Sequence, residues 1–462
     1  MSDGTEPSQS SELVPIATPT SGSKTEEQEH SISEAIDRYL ERGRDIQFSA
    51  RALIPAAAQF MQKQYQTASA DFDRTEPHLN ATDLGNRAHA IKEAEKALRV
   101  MRRFKYSNVP EVLESSLYLS LFSAFDVFTG ELLRALHKEK PALFERLNRT
   151  IPLSVVISAS SLEELKESVL DEEIENFRRK SYTEQFEYLE LAFGLPLRKF
   201  NRWPDFVEAA QRRNLLTHCG GVVSEQYRSV CLKEGYPASK IAEVGEVLKL
   251  GPKYFLPTCE LMLEVGLKIG QTLWRKVLPD DVKVADSHLL DAIYDALSHE
   301  LWERAETFGE FAVSQKAVSS DKQKRLFIIN YAIALKNLER QEKVTSLLSQ
   351  HDWSASIPEF RLAEAVLLNR TDDAVAVMIR IGKEGELLKE SAYQTWPLFI
   401  SFRETENFQE AYATIYGYPF VTKLKSTALD ERAAQKALEG YVPEPHACES
   451  QSNLTEVTSS PA

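Results

Sequence analysis

The stretch EVLESSLYLSLFSAFDVFTGELLRALHK, residues 111–138, sets the fold class. Its Leu113, Leu117, Leu121, Phe122, Phe125, Phe128, Leu132, Leu133 and Leu136 recur at steps of three and four. That is the period of a helix face, and a face this wide belongs to a buried helix in a bundle. Asp126 interrupts the run, with Glu131 nearby. Either Asp126 lies on a thin polar stripe, or it is a carboxylate among apolar neighbours that needs a partner.

The segments on either side also read as helices, so the chain is expected to be all-α. A helix over residues 33–67 runs through Ala35-Ile36, Tyr39-Leu40, Leu53-Ile54 and Phe60-Met61. Asp83 can cap another through Ala88, Ile91, Ala94, Leu98 and Met101, ending in the basic patch Arg102-Arg103-Phe104-Lys105. Ser161-Leu162-Glu163-Glu164 has the form of a capping box, opening a helix that runs into Phe177-Arg178-Arg179-Lys180. Helices over 183–193 and 257–277 close a bundle of four to five helices across 107–280, behind a helical extension over 31–106.

Past residue 286 the character changes to short amphipathic segments with Ala at packing positions, such as Ala305, Ala312, Ala332, Ala363 and Ala374. Weak self-similarity links the segments beginning at Leu338, Leu368 and Phe402, 30 and 34 residues apart, near the tetratricopeptide period. Residues 286–425 are therefore expected to be tetratricopeptide-like hairpins, which bury their faces on one another and leave a surface for a protein partner. Residues 1–30 and 440–462, rich in Ser, Thr, Glu and Pro, are expected to be disordered tails.

The formal net charge of −14 argues against indiscriminate nucleic-acid binding, although residues 81–280 are close to neutral. Cys219, Cys231, Cys259 and Cys448 lack metal-ligand spacing and read as reduced thiols. No stretch approaches the ~20 apolar residues of a membrane span. The N-terminus is polar and acidic rather than signal-like, so the expected location is the cytoplasm.

Chemistry concentrates in Gln211-Arg212-Arg213-Asn214-Leu215-Leu216-Thr217-His218-Cys219-Gly220-Gly221. Asp205 to Ala210 lead in with helical spacing and the Gly pair ends the helix, so Arg213, Asn214 and His218 ride its last turns. A histidine there can simply answer the helix dipole. Just upstream, Arg198-Lys199-Phe200-Asn201-Arg202-Trp203 mixes cations and aromatics. Such a loop can track a phosphate backbone, or lay its cations over an apolar lid.

Arg213-Asn214-x-x-x-His218, with Gly220-Gly221 and Val222-Val223-Ser224-Glu225-Gln226-Tyr227 behind it, resembles the signature of HEPN domains, all-helical modules of bacterial RNases, toxins and antiviral proteins. The resemblance implies a HEPN-like bundle and a metal-independent endoribonuclease without cofactor, serving bacterial defence or stress. His218 would draw the proton from a ribose 2′-hydroxyl and Arg213 would hold the phosphate, with Asn214 bonding one or the other. Asp126 and Thr217 would support them, and Arg198, Lys199, Arg202 and Arg212 would contact RNA. Some toxin HEPN domains carry Tyr two residues after the His; here Gly220 stands there, so neutralisation at a tyrosine is not expected.

Five residues along a helix turn about 500°, so Arg213 and His218 point about 140° apart, against about 40° for Asn214 and His218. Either His218 falls past the last regular turn, or two chains pool their motifs across a two-fold axis, as HEPN RNases commonly do; a homodimer through the bundle is expected. No His-x-x-x-His, Asp-x-Asp or Cys-x-x-Cys lies near the motif and no Gly-x-x-x-x-Gly-Lys is present, which disfavours a metallohydrolase or NTPase. The rival reading is a non-catalytic scaffold that binds a nucleotide or protein.

Overall fold

The computed structural model describes residues 30–147 and 150–439. Among the described residues the regular structure is helical with no strand, so the protein is all-α. The tails expected to be disordered lie outside the described residues, His30 excepted. Two compact units divide between Lys343 and Val344, and residues 286–343 belong with the helices that precede them.

In the first unit α1 spans Ser31–Thr75, α2 Leu84–Lys105 and α3 Val109–Glu139. A short α4 (Leu153–Ser158) precedes α5 (Leu162–Arg178), α6 (Tyr182–Phe193), α7 (Trp203–His218), α8 (Glu225–Lys233) and α9 (Pro252–Val277). α10 (Val282–Ser298), α11 (Trp302–Val313) and α12 (Asp321–Asn337) follow, and α13 (Gln341–Ser349) carries the division.

The start signals act locally. Asp83 caps α2, accepting from the Asn86 N–H at 2.8 Å. Ser161 accepts from the Glu164 N–H at 3.1 Å, but the Glu164 carboxylate closes on the N–H of Ser160 (2.7 Å), so the expected box is displaced by one residue. A reciprocal box forms at Ser181 and Glu184 ahead of α6. α9 begins at Pro252, five residues before its expected start, and α8 is a helix that apolar spacing did not predict.

α9 is the axis of the unit, with Phe255, Met262, Leu263, Leu267, Leu273 and Trp274 all buried. Its approach to α1 depends on glycine. A Cβ on Gly266 would lie 2.1 Å from Tyr39 Cε1, and one on Gly270 would lie 2.7 Å from Ile36 Cδ1. The Tyr39 hydroxyl then donates to the Met262 carbonyl at 2.8 Å. α3 lies against the same pair through Phe125 and Phe128, whose rings meet Tyr39 at 5.9 and 4.6 Å. Contrary to expectation, residues 84–139 do hold a window long and apolar enough to cross a membrane (mean hydropathy 1.2). In the fold Phe122, Phe125 and Phe128 of that stretch are spent on the core.

In the second unit α14 (Pro358–Leu367) pairs with α15 (Thr371–Ile381), followed by α16 (Glu390–Thr395), α17 (Glu406–Tyr416) and α18 (Phe420–Glu439). The likeness of the segments at Leu338 and Leu368 has a backbone cause. Glu339 and Asn369 both take left-handed φ (59° and 58°), and the next N–H groups, of Arg340 and Arg370, each reach a carbonyl five residues back at 2.9 Å. Glu300, φ 56°, makes the same stop between α10 and α11. The segment at Phe402 differs: it is a 3-10 turn leading to Thr405, which caps α17.

Two stability predictions follow from these backbone positions. Glu339→Gly should raise stability by about 0.5–1 kcal/mol in denaturant unfolding, more than Asn369→Gly, because Asn tolerates the left-handed region better than Glu. Gly266→Ala should lower it by about 1–3 kcal/mol, since Tyr39 has to move.

Candidate functional site

α7 is positioned by aromatic packing at one end and by a buried ion at its middle. Phe206 meets the rings of Phe125, Tyr182, Phe186 and Trp203 at centroid distances of 5.2–5.8 Å. Two positions on, Glu208 is 2% exposed. Its Oε1 accepts from Arg212 Nε (2.9 Å) and Nη2 (2.7 Å) and from the Tyr227 hydroxyl (2.6 Å), and its Oε2 accepts from the Tyr254 hydroxyl (2.5 Å). A carboxylate is tolerable at such depth only when paired and bonded in this way. Burial first, then the Glu208 charge, pushes the Cys231 thiol up to about 12, which keeps it protonated and unreactive. Burial also raises the Tyr227 and Tyr254 phenols, Tyr254 well above the ordinary range.

This network removes one expected RNA contact. Arg212 Nη1 bonds the Lys249 carbonyl at 3.1 Å and its guanidinium lies 3.6 Å over the Tyr254 ring, so every arm of the fork is engaged within the protein. Arg198 donates to Glu190 through Nε (2.8 Å), and Arg202 donates to Glu264 through Nη1 (3.0 Å). Trp203 is buried with its indole N–H on Glu234 at 2.9 Å. Of the four cations assigned to RNA, only Lys199 is exposed and, among the described residues, without an ion-pair partner. The other three form ion pairs within the protein, Arg198 and Arg202 with about a third of the side chain still exposed. Sequence alone did not name their carboxylates, which lie 4, 8 and 62 residues away.

Arg213, one step round the helix, points elsewhere. Its Nη2 is 3.6 Å from Asp126 Oδ2 and its Nη1 donates to Asn214 Oδ1 at 3.2 Å. Asp126 thus has its partner: its other oxygen accepts from the Tyr182 hydroxyl at 2.8 Å. Burial raises the Asp126 pKa, opposed by the Tyr182 bond and by the Arg213 and Arg178 charges. Arg178 lies across α3 at Gly130, where a Cβ would meet its Nη2 at 2.3 Å, and its Nε donates to the Asp126 carbonyl at 3.2 Å. Arg179 and Lys180, exposed on the turn that follows, are cations that the sequence reading left unassigned. The run Phe177-Arg178-Arg179-Lys180 was the signal for them.

The Thr217 hydroxyl bonds the Arg213 carbonyl at 2.9 Å and is exposed. His218 is the last residue of α7, exposed and, among the described residues, without a hydrogen bond or ion pair. α7 stays helical through it, so His218 does not fall past the regular turns. Gly220 and Gly221 then turn with φ 57° and 83°, and a Cβ on Gly221 would lie 3.0 Å from the Leu248 carbonyl oxygen. Residues 221–223 bond antiparallel to 245–248 through the Val222–Val247 bridge. One chain therefore gathers Asp126, Tyr182, Arg213 and Asn214; His218 stands one turn beyond Asn214, about 40° round the helix from it and about 140° from Arg213. Among the described residues no cluster of His, Cys, Asp and Glu is placed to hold a metal ion.

Removing the cation beneath the site should be costly. Arg212→Ala should lose about 3–5 kcal/mol in urea unfolding, because Glu208 would stay buried without its counter-charge. A loss under 1 kcal/mol would contradict the burial described.

No family model matches the chain, and neither a curated protein nor a solved structure matches it.

Proposed function

We propose that the protein is a metal-independent endoribonuclease whose site forms between two copies of the chain. The observation that carries this reading is a guanidinium steered by Asp126 and Asn214 near the end of a helix that presents an imidazole exposed and, among the described residues, unpartnered. His218 of one copy takes the proton of a ribose 2′-hydroxyl. The 2′-oxygen attacks the adjacent phosphorus in line, and Arg213 of the other copy stabilises the charge on the phosphorane oxygens. The 5′-oxygen leaves, taking a proton from water, and the products are a 2′,3′-cyclic phosphate and a 5′-hydroxyl. DNA lacks the nucleophile and is spared. Arg179 and Lys180, both exposed, join Lys199 as backbone contacts. The setting is bacterial defence or stress in the cytoplasm, with the helical hairpins offering a surface to a protein partner.

The second reading, a non-catalytic helical scaffold, is favoured by the internal ion pairs of Arg198, Arg202 and Arg212. Labelled single-stranded RNA separates the two. Cleavage should persist in EDTA and fall about 100-fold or more in His218→Ala and in Arg213→Ala. Mixing those two variants should restore about a quarter of the activity, since half the dimers are mixed and each keeps one intact pair. No cleavage by the native protein would leave the scaffold reading; cleavage without restoration would sink the shared site.

A further inference from the structure

We infer that α1 and α3 together hold a second RNA phosphate, with Arg42 and Ser123 as its donors; this rests on the ribonuclease reading and extends its substrate contacts along α3. A cavity of about 360 Å³ opens between the two helices. Its floor is set by the fold. The rings of Tyr39 and Phe128 stack there at 4.6 Å, and the Tyr39 hydroxyl is turned away to the Met262 carbonyl (2.8 Å). Around that apolar floor stand Arg38 and Arg42 from α1 and Ser120, Ser123 and Glu131 from α3.

Existing bonds separate the groups that are engaged from those that are not. Arg38 Nε lies 3.5 Å from Glu131 Oε2, so those two charges answer each other. The Ser120 hydroxyl donates its one proton to the Ser116 carbonyl at 2.9 Å. Arg42 and Ser123 are both exposed and, among the described residues, neither has a hydrogen bond or ion pair. Glu41 and Asp45, the acids that flank Arg42 on α1, do not line the cavity and make no ion pair with it, and Asp126 is turned to Arg213 and Tyr182. One guanidinium and one hydroxyl therefore remain on adjacent helices, a pair of donors that suits an oxyanion. The uncancelled charge on the lining is a single one, which matches the single charge of a phosphodiester. Position names its source. Ser123 stands three residues before Asp126 on α3, about 4.5 Å along the axis and about 60° round it. Asp126 steers Arg213, the group proposed to hold the scissile phosphate. A strand laid on Arg213 and continued toward α1 brings a neighbouring phosphate to Arg42, with Val127, exposed on the lining, under the ribose.

The test uses the full chain carrying His218→Ala, so that the RNA stays intact. Binding of labelled single-stranded RNA is followed by fluorescence anisotropy across a salt series. Arg42→Ala should weaken binding about tenfold or more. It should also flatten the slope of log K against log[salt] by about 0.7, the share of one phosphate on a single strand. Arg42→Lys keeps the charge and should restore the slope, which a merely structural role would not predict. Ser123→Ala should weaken binding about threefold and leave the slope alone. Arg87→Ala removes an exposed cation of α2 outside the cavity and should change neither. An unchanged slope in Arg42→Ala, or an equal loss in Arg87→Ala, would overturn the phosphate contact, as would failure of the full chain to bind RNA at all. The chain with His218 intact is assayed for cleavage alongside. RNA bound but not cut, with the slope still flattened by Arg42→Ala, would end the nuclease reading and leave this contact standing. RNA cut, with the slope untouched, would do the reverse.

Discussion

A single carboxylate, Glu208, constrains the rest of this structure most tightly. An ionised group at that depth needs several donors, and they come from three helices: Arg212 on its own α7, Tyr227 on α8 and Tyr254 on α9. Satisfying it fixes the rotation of α7 about its axis. Once Arg212 is turned inward, Arg213 must lie about 100° further round, toward α3 and Asp126, and His218 must leave the core. The exposure of the imidazole and the direction of the second guanidinium follow from where the buried acid sits.

A similar economy governs α9. Glycines at 266 and 270 let α1 come close enough for Tyr39 and Ile36 to fill the space that side chains would occupy. The second half of α1 and α2 meet across smaller residues, and Ala68, Ala90, Ala94 and Ala97 are buried there. That leaves Leu84, Ile91 and Leu98, which apolar spacing alone would assign to a core, exposed along α2. Period identifies a helix reliably but does not say which of its apolar residues find a neighbour.

The same limit explains what could be read beforehand. The helix over residues 111–138 and the cap at Asp83 were legible because periodicity and capping are properties of contiguous sequence. The roles of Arg198, Arg202 and Arg212 were not, because each depends on a carboxylate chosen by the fold: Glu190, Glu264 and Glu208. Glu208 stands four residues before Arg212, a spacing ordinary on any exposed helix face. Nothing local marks it as buried. Asp126 was legible as an anomaly, since a carboxylate inside an apolar run needs a partner; which cation supplies it, Arg213, came only with the fold.

The two adjacent arginines also show why ion pairing alone does not decide whether a guanidinium can serve a substrate. Arg212 spends a donor of each of Nε, Nη1 and Nη2 on Glu208 and on the Lys249 carbonyl, with Tyr254 stacked beneath, and its side chain is only 11% exposed, which leaves a phosphate little access to it. Arg213 donates one bond, to Asn214, and faces Asp126 at 3.6 Å, beyond an ordinary hydrogen bond. Tyr182 occupies the other Asp126 oxygen, which limits how closely that carboxylate can engage the guanidinium. Asp126 therefore orients Arg213 without saturating its fork. Arg213, 30% exposed against 11% for Arg212, keeps the more accessible pair of N–H donors.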